Sequence, residues 1–358
     1  MKKMSVLIVA ALAMLVLAGS AAFAATPEKI LTIGVDQEAI GLDPHIVTAF
    51  SSMRRVDLLY SRLVRLDDNL VVVGDLAEKW DIPNNVTYVF HLRKGVKFHN
   101  GRTLTSADVK YSLERVLDPK TASPGRSYIS TITSIETPDD LTVKITLSAP
   151  LASFLDGLAT NNLSIVAKEV VEANGNLQKV TAGTGPFMLA DWTPDNSMTL
   201  VKNPSYFEPG APYLDKVILR VIPEQASLLS GVKSGDLSMA TISDGATIRL
   251  AAKDSKVTVM SKPGLNVRIF SFNTTKAPFD DVRVRQAFAM ILDRNEILTV
   301  AEFGMGKPTG PVPVSATQWA LPLSKLPYPK PDAAKAKKLL ADAGYPKEIG
   351  RASCRERV

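Results

Sequence analysis

Thr87-Tyr88-Val89-Phe90-His91-Leu92-Arg93, followed at once by Lys94-Gly95-Val96-Lys97-Phe98-His99-Asn100-Gly101, is the run of the chain that says most about its fold. Tyr88, Phe90 and Leu92 fall on one side of an extended chain and Val89, His91 and Arg93 on the other, the period of a strand with one face in a core. Just downstream the period changes. Thr105 stands three residues before Asp108, a variant of the capping box whose carboxylate also suits the positive end of a helix. Val109, Leu113, Val116 and Leu117 then recur at the spacing of a buried helical stripe. The period returns to two at Leu141, Val143, Ile145 and Leu147, which alternate with Thr142, Lys144 and Thr146. Thr131 to Ile135 precedes that strand across Pro138-Asp139-Asp140, so a hairpin is predicted.

Working outward, Ile30 to Val35 reads as a short strand leading into a loop, Gly41-Leu42-Asp43-Pro44-His45. Asp57 to Leu66 has helical spacing, with Leu58, Leu59, Leu63 and Val64 on one buried face. Further strands are predicted at Met198–Val201, Val217–Ile222, Val257–Met260 and Val267–Phe272. Val282 to Ala301 reads as one helix with Val284, Phe288 and Ile291 on its inner side. Asp332 to Ala343 reads as another, capped by Asp332 and closed by Gly344 and Pro346. Helices and strands intermix without strict alternation, which points to a mixed α/β or α+β protein with several lobes. No internal repeat is present. At roughly 150 residues per domain, 358 residues allow two or three domains. With 46% hydrophobic and 22% charged residues the composition is that of a globular chain able to bury a core.

The formal charge of +6 does not indicate a nucleic-acid surface. Lys2 and Lys3 carry two of those charges and Arg351, Arg355, Arg357 and Glu356 a net two more, leaving +2 for the body. A body that near neutrality has no phosphate footprint. The N-terminus combines Met1-Lys2-Lys3, an apolar run from Val6 to Leu17 and the small-residue site Ala22-Phe23-Ala24, the pattern of an export signal cleaved after Ala24. The alternative is a membrane anchor, which the short apolar run and the cleavage site disfavour. At the other end, Ile349 to Val358 resembles the in-frame translation of a sequencing adapter. It is set aside as non-native, with a native basic tail as the alternative. Cys354, the single cysteine, goes with it, so packing rather than disulfides must stabilise the rest.

Catalytic chemistry finds little support. The three histidines are His45, His91 and His99. No G-x-S-x-G elbow accompanies them, and His91 and His99, eight apart, have neither an H-E-x-x-H pattern nor a cysteine partner, so no metal site is expected. Gly183-Thr184-Gly185-Pro186 looks like a glycine-rich loop, but Met188 stands where a dinucleotide fingerprint needs glycine. Asp67-Asp68, Asp139-Asp140 and Asp280-Asp281 suit turns and helix starts. Trp80, Trp192 and Trp319 suit core or interface before ligand stacking. No cofactor is expected.

Longer motifs are more specific. Leu76-Ala77-Glu78-Lys79-Trp80, Tyr88 to Gly101 and Thr105-Ser106-Ala107-Asp108-Val109 together resemble the signature of the family 5 extracytoplasmic solute-binding proteins, the dipeptide-, oligopeptide- and nickel-binding components of ABC importers. Gly183-Thr184-Gly185-Pro186-Phe187, Asn203-Pro204-Ser205-Tyr206-Phe207, Ser234-Gly235-Asp236-Leu237, and Asn273 with Ala277 to Ala287 continue the resemblance, as do Asp293-Arg294 and the Asp332–Tyr345 helix. It spans about residues 27–348.

The resemblance implies an α/β, periplasmic-binding-protein-like fold: two α/β lobes joined by a hinge, with an extra domain inserted in lobe one. Carried over, residues 1–24 are the signal peptide, 25–45 and 180–267 lobe one, 46–179 the inserted domain, 268–348 the start of lobe two and 349–358 the non-native tail. Family members continue further, so lobe two is expected to be incomplete and the inserted domain to be the best-ordered part. Ligand contacts are expected at Thr48, Ala49, Phe50 and Ser51, on a loop after Asp43-Pro44-His45, and at Asn273. The implied function is a periplasmic binding protein that captures a small-molecule or peptide ligand, a di- or oligopeptide first, and delivers it to ABC permease subunits. It acts as a monomer, without nucleic acid or covalent chemistry. Glutathione, nickel chelates and oligosaccharides also occur as ligands in the family. The competing readings are an exported peptide hydrolase and a periplasmic chaperone or docking factor on the same scaffold.

Overall fold

A computed structural model describes residues 27–346 except 263, 314, 315, 317, 318 and 329. The export signal, its cleavage site and the 349–358 tail lie outside the described residues. The chain divides into two compact units between Thr241 and Ile242. No helix among the described residues is long and apolar enough to cross a membrane.

The first unit holds strands β1 (Ile30–Val35), β2 (Val64–Leu66), β3 (Val72–Gly74), β4 (Ala77–Asn84), β5 (Thr87–Leu92), β6 (Ile132–Asp139), β7 (Thr142–Leu147), β8 (Phe187–Thr193), β9 (Ser197–Lys202), β10 (Lys216–Val221) and β11 (Met239–Ala240). Its longer helices are α1 (Phe50–Leu59), α2 (Ser106–Leu117) and α3 (Gln225–Ser234). One sheet runs β11-β1-β10-β9-β8, with β1 parallel to both neighbours and the rest antiparallel. A second runs β4-β5-β7-β6, antiparallel throughout, and β2 and β3 form a ribbon.

The stretch quoted first behaves as its alternation requires. Tyr88, Phe90 and Leu92 are buried while Val89 and His91 are half-buried. Phe90 is flanked by Val143 across the β5–β7 pair, both fully buried. Val109, Leu113 and Val116 of α2 join the same core, with Phe98 and Phe154. Burying each such side chain contributes about 1.5–3 kcal/mol. The start of α2 is held by Asp108, whose carboxylate accepts the Thr105 N–H at 2.9 Å. The β6–β7 hairpin forms across the expected turn.

Three expectations need correction. The helix read over 57–66 is α1, which ends at Leu59: Tyr60 is extended, with its N–H on the Val56 carbonyl at 2.9 Å. Leu63 and Val64 are buried, but beyond that helix, with Val64 opening β2, so one apolar spacing had spanned two elements. The strands read at 257–260 and 267–272 are not formed. Among the described residues no neighbour offers either run a ladder, and an extended segment without one has nowhere to place its backbone hydrogen bonds. The helix read over 282–301 is two helices.

That break lies in the second unit, between α4 (Val282–Ile291) and α5 (Arg294–Ala301). Leu292 is extended, and the Asp293 carboxylate accepts the N–H groups of Asn295 at 2.9 Å and Glu296 at 3.1 Å, starting a new helix. The inner stripe of α4 is Val284, Ala287 and Met290, whereas Ile291 is 51% exposed. Ala287 and Met290 pack with Ala336 of α6 (Ala333–Asp342), whose Asp332 cap accepts the Lys335 N–H at 2.9 Å. Phe288 is met edge-on by Phe272, with ring centres 5.2 Å apart.

Candidate ligand-binding site

In open α/β sheets ligands gather outside the carboxyl ends of the parallel strands. Here those ends belong to β1, β10 and β11. The chain runs from β10 through α3 to β11 and so passes over β1, against which α3 packs closely. A Cβ at Gly34 would come within 2.6 Å of the ends of both Leu228 of α3 and Leu237, so a larger residue there would have to push these side chains aside. From the end of β1 the chain enters residues 36–49 and then α1. Thr48 and Phe50 are exposed, Ala49 is half-buried and Ser51 is buried.

The expected loop is therefore in part a helix start: Thr48 and Ala49 precede α1, and Phe50 and Ser51 form its first turn. No side chain caps this end and no acidic residue lies in its first turn. The far end of α1 is clamped by the 183–186 turn. The Gly185 N–H donates to the Leu59 carbonyl at 3.1 Å, and a Cβ on Gly185 would lie 2.4 Å from the Leu59 carbonyl carbon.

The residues that lead into Thr48–Ser51 form a buried polar base. Asp43 and His45 are fully buried. Arg115 of α2 donates to both Asp43 oxygens, Nη1 to Oδ1 at 3.0 Å and Nη2 to Oδ2 at 2.6 Å. The Leu177 N–H adds a bond to Oδ2 at 3.1 Å. His45 Nε2 lies 2.8 Å from the Ser164 carbonyl and Nδ1 2.8 Å from Arg115 Nη1. A carbonyl only accepts and a guanidinium only donates, so Nε2 carries the proton and the ring is neutral. Asn162 Nδ2 donates to the Pro44 carbonyl at 2.7 Å and the Val47 carbonyl at 2.9 Å. Residues 43–47 are thus pinned from three separate segments, at 115, 162–164 and 177.

The electrostatics agree with this geometry. Burial, and then the Arg115 charge, pull the His45 imidazole down to about 4. Burial pushes the Asp43 carboxyl up, but the Arg115 hydrogen bond and charge and the Leu177 N–H outweigh it and leave it below its ordinary value.

A second buried cation lies closer to the exposed turn. Arg55 is 2% exposed. Its Nη1 donates to the Ser51 carbonyl at 2.5 Å and its Nη2 to the Gln37 carbonyl at 3.1 Å, while Nε has no acceptor among the described residues. Sequence reasoning missed Arg115 and Arg55. Arg115 gave no local signal because its partners lie about seventy residues away. Arg55 reads as an ordinary surface cation beside Arg54.

The other sequence candidates make contacts of their own. Asn273, in the second unit, is exposed, and its Oδ1 closes a turn by accepting the Thr275 N–H at 3.1 Å and hydroxyl at 2.7 Å. His91 pairs with Asp81 at 2.8 Å, and His99 Nε2 meets the Gly185 carbonyl at 3.1 Å. Trp80 and Trp192 are half-buried and Trp319 is exposed.

Comparison with known proteins gives this arrangement its context. Residues 71–353 match the family model described as bacterial extracellular solute-binding proteins, family 5 Middle. The chain belongs to this family. Among family 5 relatives, glutathione-binding protein GsiB of Salmonella choleraesuis is 32% identical over 94% of this chain and 65% of its own length. Heme-binding protein A of Haemophilus influenzae is 32% identical over 80% of this chain and 57% of its own length. The ABC transporter-associated periplasmic binding protein DppA of Helicobacter pylori, solved with the peptide STSA, superposes with a TM-score of 0.78 at 32% identity, over 88% of this chain and 66% of that one. The mixed α/β fold is that of the periplasmic binding proteins, and this chain spans 57–65% of the length of these two curated relatives. The names of these family 5 relatives describe solute binding rather than catalysis.

Proposed function

We propose that the chain is the periplasmic substrate-binding component of an ABC importer. It captures a small solute, a di- or oligopeptide, against the Thr48–Ser51 turn, and delivers it to membrane permease subunits as a monomer. Family membership over residues 71–353 carries the reading. The first turn of α1, tied through Ser52 and Arg55 to residues 37–40 just beyond β1, supports it, because a receptor must offer backbone donors that do not move when water is displaced. Asn273 is the ligand contact that the same reading assigns to the second unit. The peptide is preferred because peptide and glutathione ligands are named among the relatives. The reading includes export with cleavage after Ala24, so N-terminal sequencing of secreted protein should begin at Ala25.

The test is ligand-dependent stability without turnover. Purified protein should melt higher with the peptide Ser-Thr-Ser-Ala or with glutathione, by about 2.7 kcal/mol at a hundredfold excess over Kd. Mass spectrometry after long incubation should recover the solute intact. Steady hydrolysis by pure protein would replace this reading with that of an exported peptidase.

A further inference from the structure

We infer that the first turn of α1, backed by Arg55, recognises a carboxylate on the solute. The inference rests on the solute-binding reading above and adds the chemistry of the group that docks there.

Four observations converge. The helix end at Ala49–Ser52 is positive, with no side-chain cap and no acidic residue to neutralise it. Arg55, 2% exposed, adds a full charge beneath the same turn, gripping the Ser51 carbonyl at 2.5 Å. No carboxylate lies within ion-pair reach of that guanidinium among the described residues, and its Nε has no acceptor there. The nearest acids, Glu38 and Asp36, act on it only at longer range. Glu38 is already engaged by the Ala39 and Asp195 N–H groups at 2.5 and 2.8 Å, and Asp36 by the Gln225 amide at 3.3 Å.

An unpaired buried charge is expensive to keep when neutral groups could hold the same two carbonyls. An incoming anion offsets that expense. Arg55 acts through the turn rather than by touching the solute, so it is a positioning residue, and the N–H groups of the turn make the contact. The rim has matching chemistry. Ile40, whose N–H donates to Ser52 Oγ at 3.0 Å, is 70% exposed and Phe50 is 63% exposed. The solute feature that fits is a carboxylate with an apolar group beside it.

The experiment compares Ser-Thr-Ser-Ala with its C-terminal amide by calorimetry, on the full chain and on the variants Arg55→Gln and Arg55→Lys. The free acid should bind about tenfold more tightly than the amide, the scale of an anion at a partly buried helix N-terminus. Arg55→Gln should bring the acid down to the affinity of the amide, and Arg55→Lys should retain most of the ratio. Melting curves report folding separately. Equal binding of acid and amide by the unaltered chain, or an unchanged ratio in Arg55→Gln, overturns the carboxylate assignment while leaving solute binding intact. Failure of the unaltered chain to bind either peptide or glutathione overturns the solute-binding reading and this inference with it.

Discussion

Asp43 and Arg115 form a bidentate pair with almost no access to water, and their value lies in being matched. Truncating one partner leaves the other charge buried alone, a loss of about 3–5 kcal/mol. Arg115→Ala should therefore lower the urea-derived stability by that amount, and a loss below about 1 kcal/mol would show that water compensates Asp43. His45 sets a pH dependence of definite sign. Its folded value of about 4 lies below the ordinary 6.5, so folding favours the neutral ring. The stabilisation is fully present above about pH 6.5, fades as pH falls toward 4, and amounts to about 3 kcal/mol. Asp43, held below its ordinary value, contributes a further loss only at lower pH. Urea titrations between pH 7 and 4 should show the His45 decline, and His45→Gln should reduce it, leaving the part due to His99, whose imidazole burial also lowers. A wild-type curve flat over that interval would mean that the ring titrates normally.

At the scale of elements, α1 shows what sequence periodicity reveals and what it hides. The alternation in β5 and β7 and the stripe of α2 are local, set by neighbours two to four residues away, and they were legible. The end of α1 is decided by residues far along the chain, at Gly183 and Gly185, whose missing side chains let that turn lie on the Leu59 and Tyr60 backbone. No spacing within 57–66 announces this. The same holds for the polar base: Asp43-Pro44-His45 was visible as a loop, but Arg115, Ser164 and Leu177 become its partners only through tertiary packing. Conversely, 257–260 and 267–272 have strand-like composition and no ladder, because β-propensity describes a fit to a neighbour that must also exist. The close approach at the glycine turn is testable. Gly185→Ala must displace backbone, since its Cβ would lie 2.6 Å from the Tyr60 nitrogen. A destabilisation of about 1–3 kcal/mol in chemical unfolding is expected, and a neutral result would show that the turn slides freely.

Across the whole molecule, burial is uneven. The first unit carries the extended apolar core around Phe90, Phe98 and Phe154, whereas the described core of the second is Ala287, Met290 and Ala336 with a few half-buried neighbours. Local stability follows such burial. Amide exchange should accordingly be slowest in β5, β7 and α2 and much faster in α4 and α5, as read by mass spectrometry of peptic fragments; equal protection of 87–92 and 282–301 would refute this. The parallel pairing of β1 with β10 and β11 has one more consequence, which concerns time. Ribosomes release the chain from its first residue onward. Residues 30–35 emerge early, yet the strands that flank them are not made until 216–221 and 239–240. The antiparallel sheet of residues 77–147 has all its partners within itself and can close in the meantime. The nascent chain must therefore hold its first strand open, an unpaired edge awaiting a late neighbour, and the five-stranded sheet is the last part of the first unit to assemble.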